Sequence, residues 1–585
     1  MKVIVKQLRQ SNRMKHIKSY TKKVLGGISA LAMTVTFTSC DDFLTILPTN
    51  EIVLENFWTD EADVNSVVTS CYAQLGSSDC ISRMVVWGEL RSDNMTLGNN
   101  PSNDIRQILK ENLLETNSYT TWTCFYQCIN RCNTVLHYAP EVQAIDPNFT
   151  PSELRATMAE VTVLRALCYF YLIRAYRDVP YVTAPSIDDN IEYLVPATKF
   201  RVVLDSLIAS VEAVKNDALS SYGENSTDNM TRITRWSAYA LLADMYLWQG
   251  NYQACIHYCD LITEHQKAIY DREMDRDPSS VTMELYGEFP LISEVVSGSS
   301  FAGNTYNQIF GDCYSDESIF ELAFGKKEEK SNSAISNFYG HSSSKGTVSA
   351  PAYLFSEAYS GNNSYFKKTD CRFLENMKEE SSKVYITKYV NSTVDFRLTS
   401  TTGAMPTVSS SARSSDSFFA NWIVYRYTDV LLMKAEAEVE LAGEVNPTEA
   451  PTDEQLNHYR NAFSCVSAVW KRANNKRIAT TDTLVFSDYS SSRTAMENLV
   501  LDERQRELMF EGKRWFDLVR TCLRDGDNLR LIQKVLPKFE ENASVIRRKL
   551  ASEDALFFPY NRDEIKINTE LHQNPAYDIS KGFEK

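Results

Sequence analysis

Glu503, Glu507 and Glu511 recur at every fourth residue inside the densest cluster of charge in the chain. On a continuous helix that spacing puts three carboxylates on one face, where they could hold a metal or pair an acid with a base. The same stretch supplies Arg504, Arg506, Arg514 and Arg520. Like charges one turn apart repel, so the cations favour another reading: a buried or half-buried ion-pair network that keeps helices in register. Leu508, Gly512, Trp515 and Val519 form the apolar stripe beside it. Other chemistry is sparse. The sequence has no GxxxxGK[ST], GxGxxG or HExxH motif and no GxSxG elbow. Cys255 and Cys259 flank a histidine at a spacing a metal could use. Like Cys124, Cys128 and Cys132, however, they repeat at a helical step and read as small buried hydrophobes. No metal or cofactor is expected. A hydrolase built on two carboxylates leaves no spacing signature, so a secreted hydrolase stays open as a competing class.

The 585 residues are 43% hydrophobic and 23% charged, ordinary for a globular chain. The formal charge of −15 argues against nucleic-acid binding. Residues 1–39 have the layout of a signal peptide: Lys15, Lys18, Lys22 and Lys23, then an apolar run at 24–37, then small residues. They carry eight of the 61 basic residues and no acid, so the remainder has a net charge of −23. Cys40 directly follows and resembles the lipidated cysteine of a bacterial lipobox, with Phe37 and Thr38 replacing the usual Leu and Ala. An ordinary signal cut elsewhere is the alternative. The apolar run is shorter than the roughly 20 residues that span a bilayer, and no later segment is read as a span.

The elements that must position these residues are mostly helices. Apolar residues fall at three-to-four spacing near 57–75, 120–138, 153–176, 197–218, 235–249, 252–264, 423–442, 456–472, 495–521 and 529–548. Between 239 and 262, Leu242, Ala243, Tyr246, Gly250, Tyr252, Cys255 and Tyr258 follow the large/small rhythm of a tetratricopeptide unit, with Gly250-Asn251 supplying its left-handed turn. Residues 265–420 lose the helical rhythm. They read as long irregular loops with short strands at 318–324 and 383–390. Long loops on a rigid scaffold are where binding specificity usually sits.

The charged cluster closely resembles the signature of SusD/RagB-type outer-membrane nutrient-binding lipoproteins, E-R-x-x-E-L-x-F-E-G-x-R-W-x-D-L-x-R. It matches through Glu503, Arg504, Glu507, Leu508, Phe510, Glu511, Gly512, Arg514, Trp515, Asp517, Leu518 and Arg520. Four further blocks resemble the family in the same order: 160–180 with its Pro180 stop; Tyr359 with Asp370 and Arg372; 426–437, beginning Arg426-Tyr427-Thr428-Asp429; and Phe558-Pro559 through Asn574-Pro575-Ala576-Tyr577. Ala576 replaces the usual Gly, and the segment at 557–560 departs from the usual L-x-P-I-P.

The resemblance implies a mostly α fold. Tetratricopeptide-like helix pairs form one large body, with the ligand surface built by loops and a few short strands in 265–420. It implies a division into a signal at 1–39, an N-terminal SusD-like helical region at 40–290 and a C-terminal RagB/SusD region at 291–585 packed on the same body. It implies a non-enzymatic role: binding glycan, or in some members peptide, at the outer membrane and delivering it to a SusC-like TonB-dependent transporter. Cys40 would be the lipid anchor, and Asp41 and Asp42 resemble a surface-export signal. Sugar capture needs aromatic faces beside amides, carboxylates or guanidinium groups. The segments 84–100, 301–314 and 337–341 offer that mixture, and Trp87, Arg91, Asp93, Asn94, Tyr306 and Tyr339 are the expected ligand contacts. A purely structural helical-repeat adaptor is the remaining class.

Overall fold

The computed structural model describes residues 57–578 except 188–193, 225, 297, 326–329, 345, 355–364, 367–369, 381–382, 398–405, 415–416, 446–449, 475–483 and 540. The signal, Cys40 and Tyr359 lie outside the described residues. Thirteen helices carry the argument, and shorter pieces are named by residue. They are α1 (Glu61–Leu75), α2 (Ser78–Val85), α3 (Thr123–Ile145), α4 (Pro151–Tyr176), α5 (Phe200–Val214), α6 (Arg235–Gln249), α7 (Tyr252–Arg276), α8 (Tyr427–Ala442), α9 (Asp453–Ala473), α10 (Arg493–Leu508), α11 (Arg514–Asp525), α12 (Leu529–Val535) and α13 (Ala543–Leu550).

Their ends follow local chemistry. Thr150 and Glu153 exchange hydrogen bonds in a capping box at the start of α4, with Pro151 at its first turn. Helix α4 is long and apolar enough to cross a membrane by length and composition, but 78% of that window is buried inside the fold. It is a core helix. Gly250, at φ 81°, closes α6 in the left-handed region, and Asn251 caps α7. The pair α6–α7 is therefore the helix–turn–helix expected from the tetratricopeptide rhythm, although α7 runs on to Arg276.

Successive helices pack side by side: α1 on α3, α3 on α4, α4 on α5, α6 on α7, α7 on α8, and α8 on both α9 and α10. One continuous apolar cluster runs from Trp58 to Leu571 through all of these. Among the described residues eleven cysteines, including Cys124, Cys128, Cys132, Cys255 and Cys259, are buried in it. The strands are short and form small sheets of two or three strands. Those used below are β1 (Thr96–Leu97), β2 (Met283–Tyr286), β3 (Phe289–Ile292), β4 (Ser318–Leu322), β5 (Val348–Ser349), β6 (Met377–Glu380), β7 (Lys383–Ile386), β8 (Asn391–Arg397), β9 (Val408–Ala412) and β10 (Trp422–Arg426). All their pairings are antiparallel: β1 with β5, β2 with β3, β6 with β7, β8 with β9, and β4 with β10.

One expected element is broken. The 495–521 periodicity predicts a single helix, but the chain leaves the helix after Leu508 and re-enters at Arg514. Phe510 and Gly512 take φ of 68° and 72°. Glu511 therefore sits in a turn and does not share a helical face with Glu503 and Glu507. Close packing explains the glycine: a Cβ on Gly512 would lie 2.9 Å from the Met84 carbonyl oxygen, and one on Gly88 would lie 1.8 Å from the Gly512 oxygen. Two backbones touch here, and neither tolerates a side chain. The 529–548 periodicity is likewise split, into α12 and α13.

Candidate ligand site

The signature residues form the charged centre of the fold. Glu507 pairs with Arg372 at 2.9 Å and Arg426 at 2.7 Å, and also with Arg472. Glu503 pairs with Arg372 at 2.8 Å, and Glu511 takes Arg426 at 2.8 Å and Lys388 at 2.6 Å. Beside them Arg504 bridges Asp429 and Asp517, each at 3.0 Å, while Arg520 reaches Glu436 at 2.6 Å and Asp517 at 2.8 Å. All of these side chains are buried. Burial alone would raise the Glu507 carboxyl, but Arg472, Arg426 and Arg372 hold it well below the usual range. Burial likewise opposes ionisation of Asp517, and Arg504 and Arg520 bring it down to about 2. A carboxylate fixed in its ionised form and sealed from solvent is a poor proton donor or acceptor near neutral pH. The network ties α8, α9, α10 and α11 to the short helix Arg372–Asn376.

The six residues expected to touch ligand are also inside. Trp87 lies in the π-helical turn Val86–Leu90 and is fully buried. It stacks on Phe125 at 5.1 Å, and its Nε1 donates to the Tyr119 carbonyl at 2.9 Å. Arg91 pairs with Glu111 at 2.8 Å and lies 4.1 Å over the Trp515 ring. Asp93 receives both guanidinium nitrogens of Arg514 at 2.9 Å. The Asn94 amide donates to Glu89 at 2.7 Å and its oxygen accepts from Gln505 at 2.7 Å. The Tyr306 hydroxyl donates to the Thr387 carbonyl at 3.0 Å, and that of Tyr339 to the Phe510 carbonyl at 3.0 Å. The expectation is corrected on steric grounds, because no large ligand reaches side chains that are 0–3% exposed. Arg91, Asp93 and Asn94 hold the signature helix in place. Glu89 belongs with them: its carboxylate accepts from the backbone N–H groups of Phe510 and Lys513, each at 3.0 Å, and so caps the start of α11. Burial pushes the Glu89 carboxyl up to about 7 against the pull of these donors.

This rigid segment delivers the chain to an open cleft of about 480 Å³, lined by Asn99, Asn100, Asn337, Ser342, Ser344 and Thr347. Two loops build it. Strand β1 pairs with β5, and the ladder continues as Gly98 N–H donates to the Thr347 carbonyl at 3.0 Å and Asn99 N–H to Gly346 at 2.8 Å. Gly98 must lack a side chain, since a Cβ there would lie 2.3 Å from the Gly346 oxygen. The Asn99 amide oxygen accepts from the Tyr385 hydroxyl at 3.1 Å, which fixes its orientation. The Lys383 ammonium donates to the Gly98 carbonyl at 3.1 Å. Across the cleft Thr347 Oγ1 donates to the Asn337 carbonyl at 2.9 Å, and Ser342 N–H donates to Glu380 at 2.9 Å. Partial burial would raise the Glu380 carboxyl, but Lys378 and Ser342 bring it down to about 2. It stays ionised and anchors the loop at neutral pH.

The lining offers three amides and three hydroxyls. These groups donate and accept hydrogen bonds without charge, which suits a polyhydroxylated ligand. Asn99 and Asn337 lie in the segments singled out from the sequence. Ser342, Ser344 and Thr347 lie outside those segments, in the stretch 265–420 that reads only as irregular loop. Among the described residues no group of three or more His, Cys, Asp and Glu side chains is placed to hold a metal ion.

A helical-repeat body with loops carrying a polar cleft defines a class of binding protein, and comparison with known proteins narrows it. Residues 300–577 match the model of the SusD family, and residues 42–247 match one described as starch-binding associating with outer membrane. The chain belongs to the SusD/RagB family. SusD-like protein P38 of Formosa agariphila is 24% identical over 83% of this chain and 88% of that protein. SusD-like protein P25 of the same organism is 24% identical over 82% and 87%. A SusD superfamily protein from Bacteroides thetaiotaomicron superposes with a TM-score of 0.62 at 20% identity, covering 89% of this chain and 99% of that one. A laminarin-binding SusD-like protein superposes with a TM-score of 0.60 at 19% identity, covering 89% and 100%.

Proposed function

We propose that this chain is a non-catalytic, lipid-anchored outer-membrane protein that binds nutrient glycan in the Asn99–Asn337 cleft and passes it to a SusC-like TonB-dependent transporter. The cleft carries the reading: it presents amides and hydroxyls from two mutually braced loops, the groups that sugar hydroxyls pair with. Family membership and the laminarin-binding neighbour support glycan as the ligand class. The non-catalytic part is supported by the burial of Glu503, Glu507 and Glu511 among cations. Acyl chains on Cys40 would keep the binder beside its barrel and raise its effective concentration without new contacts.

Calorimetric titration with neutral glucans, laminarin first, tests the cleft. Asn99→Ala with Asn337→Ala is expected to weaken binding by about tenfold or more, from the loss of two hydrogen bonds of about 1 kcal/mol each, measured on the folded fraction because Asn99 also accepts from the Tyr385 hydroxyl. Full affinity in the double variant would reject the site. Cys40→Ala in cells tests the anchor: release from the membrane fraction is expected, and retention would reject it.

A further inference from the structure

A second groove, sharing no lining residue with the polar cleft, runs along α9. Arg460, Phe463, Ser464, Ser467, Ala468 and Lys471 fall at the three-to-four spacing of a single helical stripe. Tyr286 and Gly287, at the tip of the β2–β3 hairpin, wall one part of it, and Phe486 walls another. The groove is open, with a volume of about 370 Å³, at the lower end of the roughly 300–1,000 Å³ typical of small-ligand sites. Phe463 packs edge-on against Phe486 with ring centres 5.5 Å apart, so the aromatic wall is formed before any ligand arrives.

The charges are the informative part. This protein pairs its buried arginines closely, and Arg472, one residue beyond the stripe, reaches Glu317 at 2.5 Å. Arg460 and Lys471 differ. Both are exposed; among the described residues neither is ion-paired, and Arg460 donates to the neutral amide of Asn457 at 2.8 Å and lies 6.0 Å over the Phe486 ring. They stand eleven residues apart on α9, about 16 Å along the axis at 1.5 Å per residue, and bracket a floor of small residues bearing two hydroxyls. Two exposed cations without an ion pair among the described residues, beside the aromatic side chains of Phe463 and Phe486, fit an extended ligand that carries carboxylates on rings with apolar faces.

We infer that this groove is a second glycan subsite, selective for uronic-acid-containing oligosaccharides. Carboxylates pair with Arg460 and Lys471, ring faces lie on Tyr286, Phe463 and Phe486, and hydroxyls meet Ser464 and Ser467. Aromatic faces and cations together reward a ligand that is both planar-faced and anionic. The inference rests on the glycan-binding reading but not on the polar cleft itself.

The test titrates the whole mature protein with a short oligogalacturonate, the same oligosaccharide after carboxyl reduction, laminarin oligosaccharides and an oligoglutamate peptide. The wild type is expected to bind oligogalacturonate, to lose about tenfold in affinity between low and high salt, and to lose most affinity for the carboxyl-reduced form. Arg460→Gln with Lys471→Gln is expected to weaken oligogalacturonate binding by at least about tenfold and to leave laminarin binding unchanged. Asn99→Ala with Asn337→Ala is expected to do the reverse. Absence of oligogalacturonate binding, equal binding by the Arg460→Gln, Lys471→Gln variant, or equal affinity for oligoglutamate would each overturn the subsite. If laminarin still binds in those cases, the glycan-binding reading survives alone. If neither glycan binds, both fall.

Discussion

Trp87 shows how burial decides between two roles for one side chain. An indole beside Glu89, Arg91, Asp93 and Asn94 has the composition of a sugar site, but the ring lies between Phe125 and Tyr176 with its N–H bonded to Tyr119. Trp87→Ala is therefore a stability variant. It should cost about 3–5 kcal/mol, as large aromatic truncations in cores do, and leave the glycan affinity of the folded fraction unchanged. Thermal melts and titrations on one preparation separate the two effects. Glu507 is the second decisive residue. Three arginines surround it, so Glu507→Ala leaves buried guanidinium groups unbalanced. A loss of about 3–5 kcal/mol is expected, and denaturant unfolding reads it.

At the scale of elements, the turn between α10 and α11 carries the most information. Its backbone N–H groups at 510 and 513 point to Glu89, and its Glu511 carboxylate points to Arg426 and Lys388. Gly512→Ala must place a methyl group at φ 72° and 2.9 Å from a carbonyl oxygen. A cost of at least about 1–3 kcal/mol follows, measurable as a lower denaturation midpoint, and Gly88→Ala should be worse. This turn also explains what periodicity conveyed and what it did not. Amphipathic spacing located the helices, and the Gly250 turn was legible because its signal is local. The break at 509–513 was not, because the partners that hold it open are Glu89, more than 400 residues away in sequence, and Arg426. The same nonlocality hid the pairing of Asp93 with Arg514: both were visible as charges, but only the fold shows that they answer one another. The cleft was half legible. Its Asn99 and Asn337 stand in segments marked by composition, while its serines lie in a stretch whose sequence has no periodicity to read.

For the whole molecule, the charged centre sets the response to acid. The Asp517 carboxyl lies at about 2 in the fold against about 3.9 in an unfolded chain, and Glu507 is shifted in the same direction. A lowered carboxylate contributes stability that is present above the unfolded value and lost as pH falls through the folded one. The charged centre should therefore make the melting temperature fall steeply between about pH 4 and pH 2, while the raised Glu89 carboxyl acts the other way and adds stability as pH falls from about 7 towards its unfolded value. Asp517→Asn should lower the melting temperature above about pH 4 and flatten the fall below it. A melting temperature independent of pH between about pH 4 and pH 2 would contradict the ion-pair centre.

The most direct measurement is a crystal structure of the mature protein soaked with a laminarin oligosaccharide. Intact sugar rings hydrogen-bonded to Asn99 and Asn337, with the interior around Glu507 unchanged, are the predicted result. Sugar bound elsewhere with that cleft empty, or a shortened oligosaccharide beside an ordered carboxylate pair, would contradict capture without cleavage.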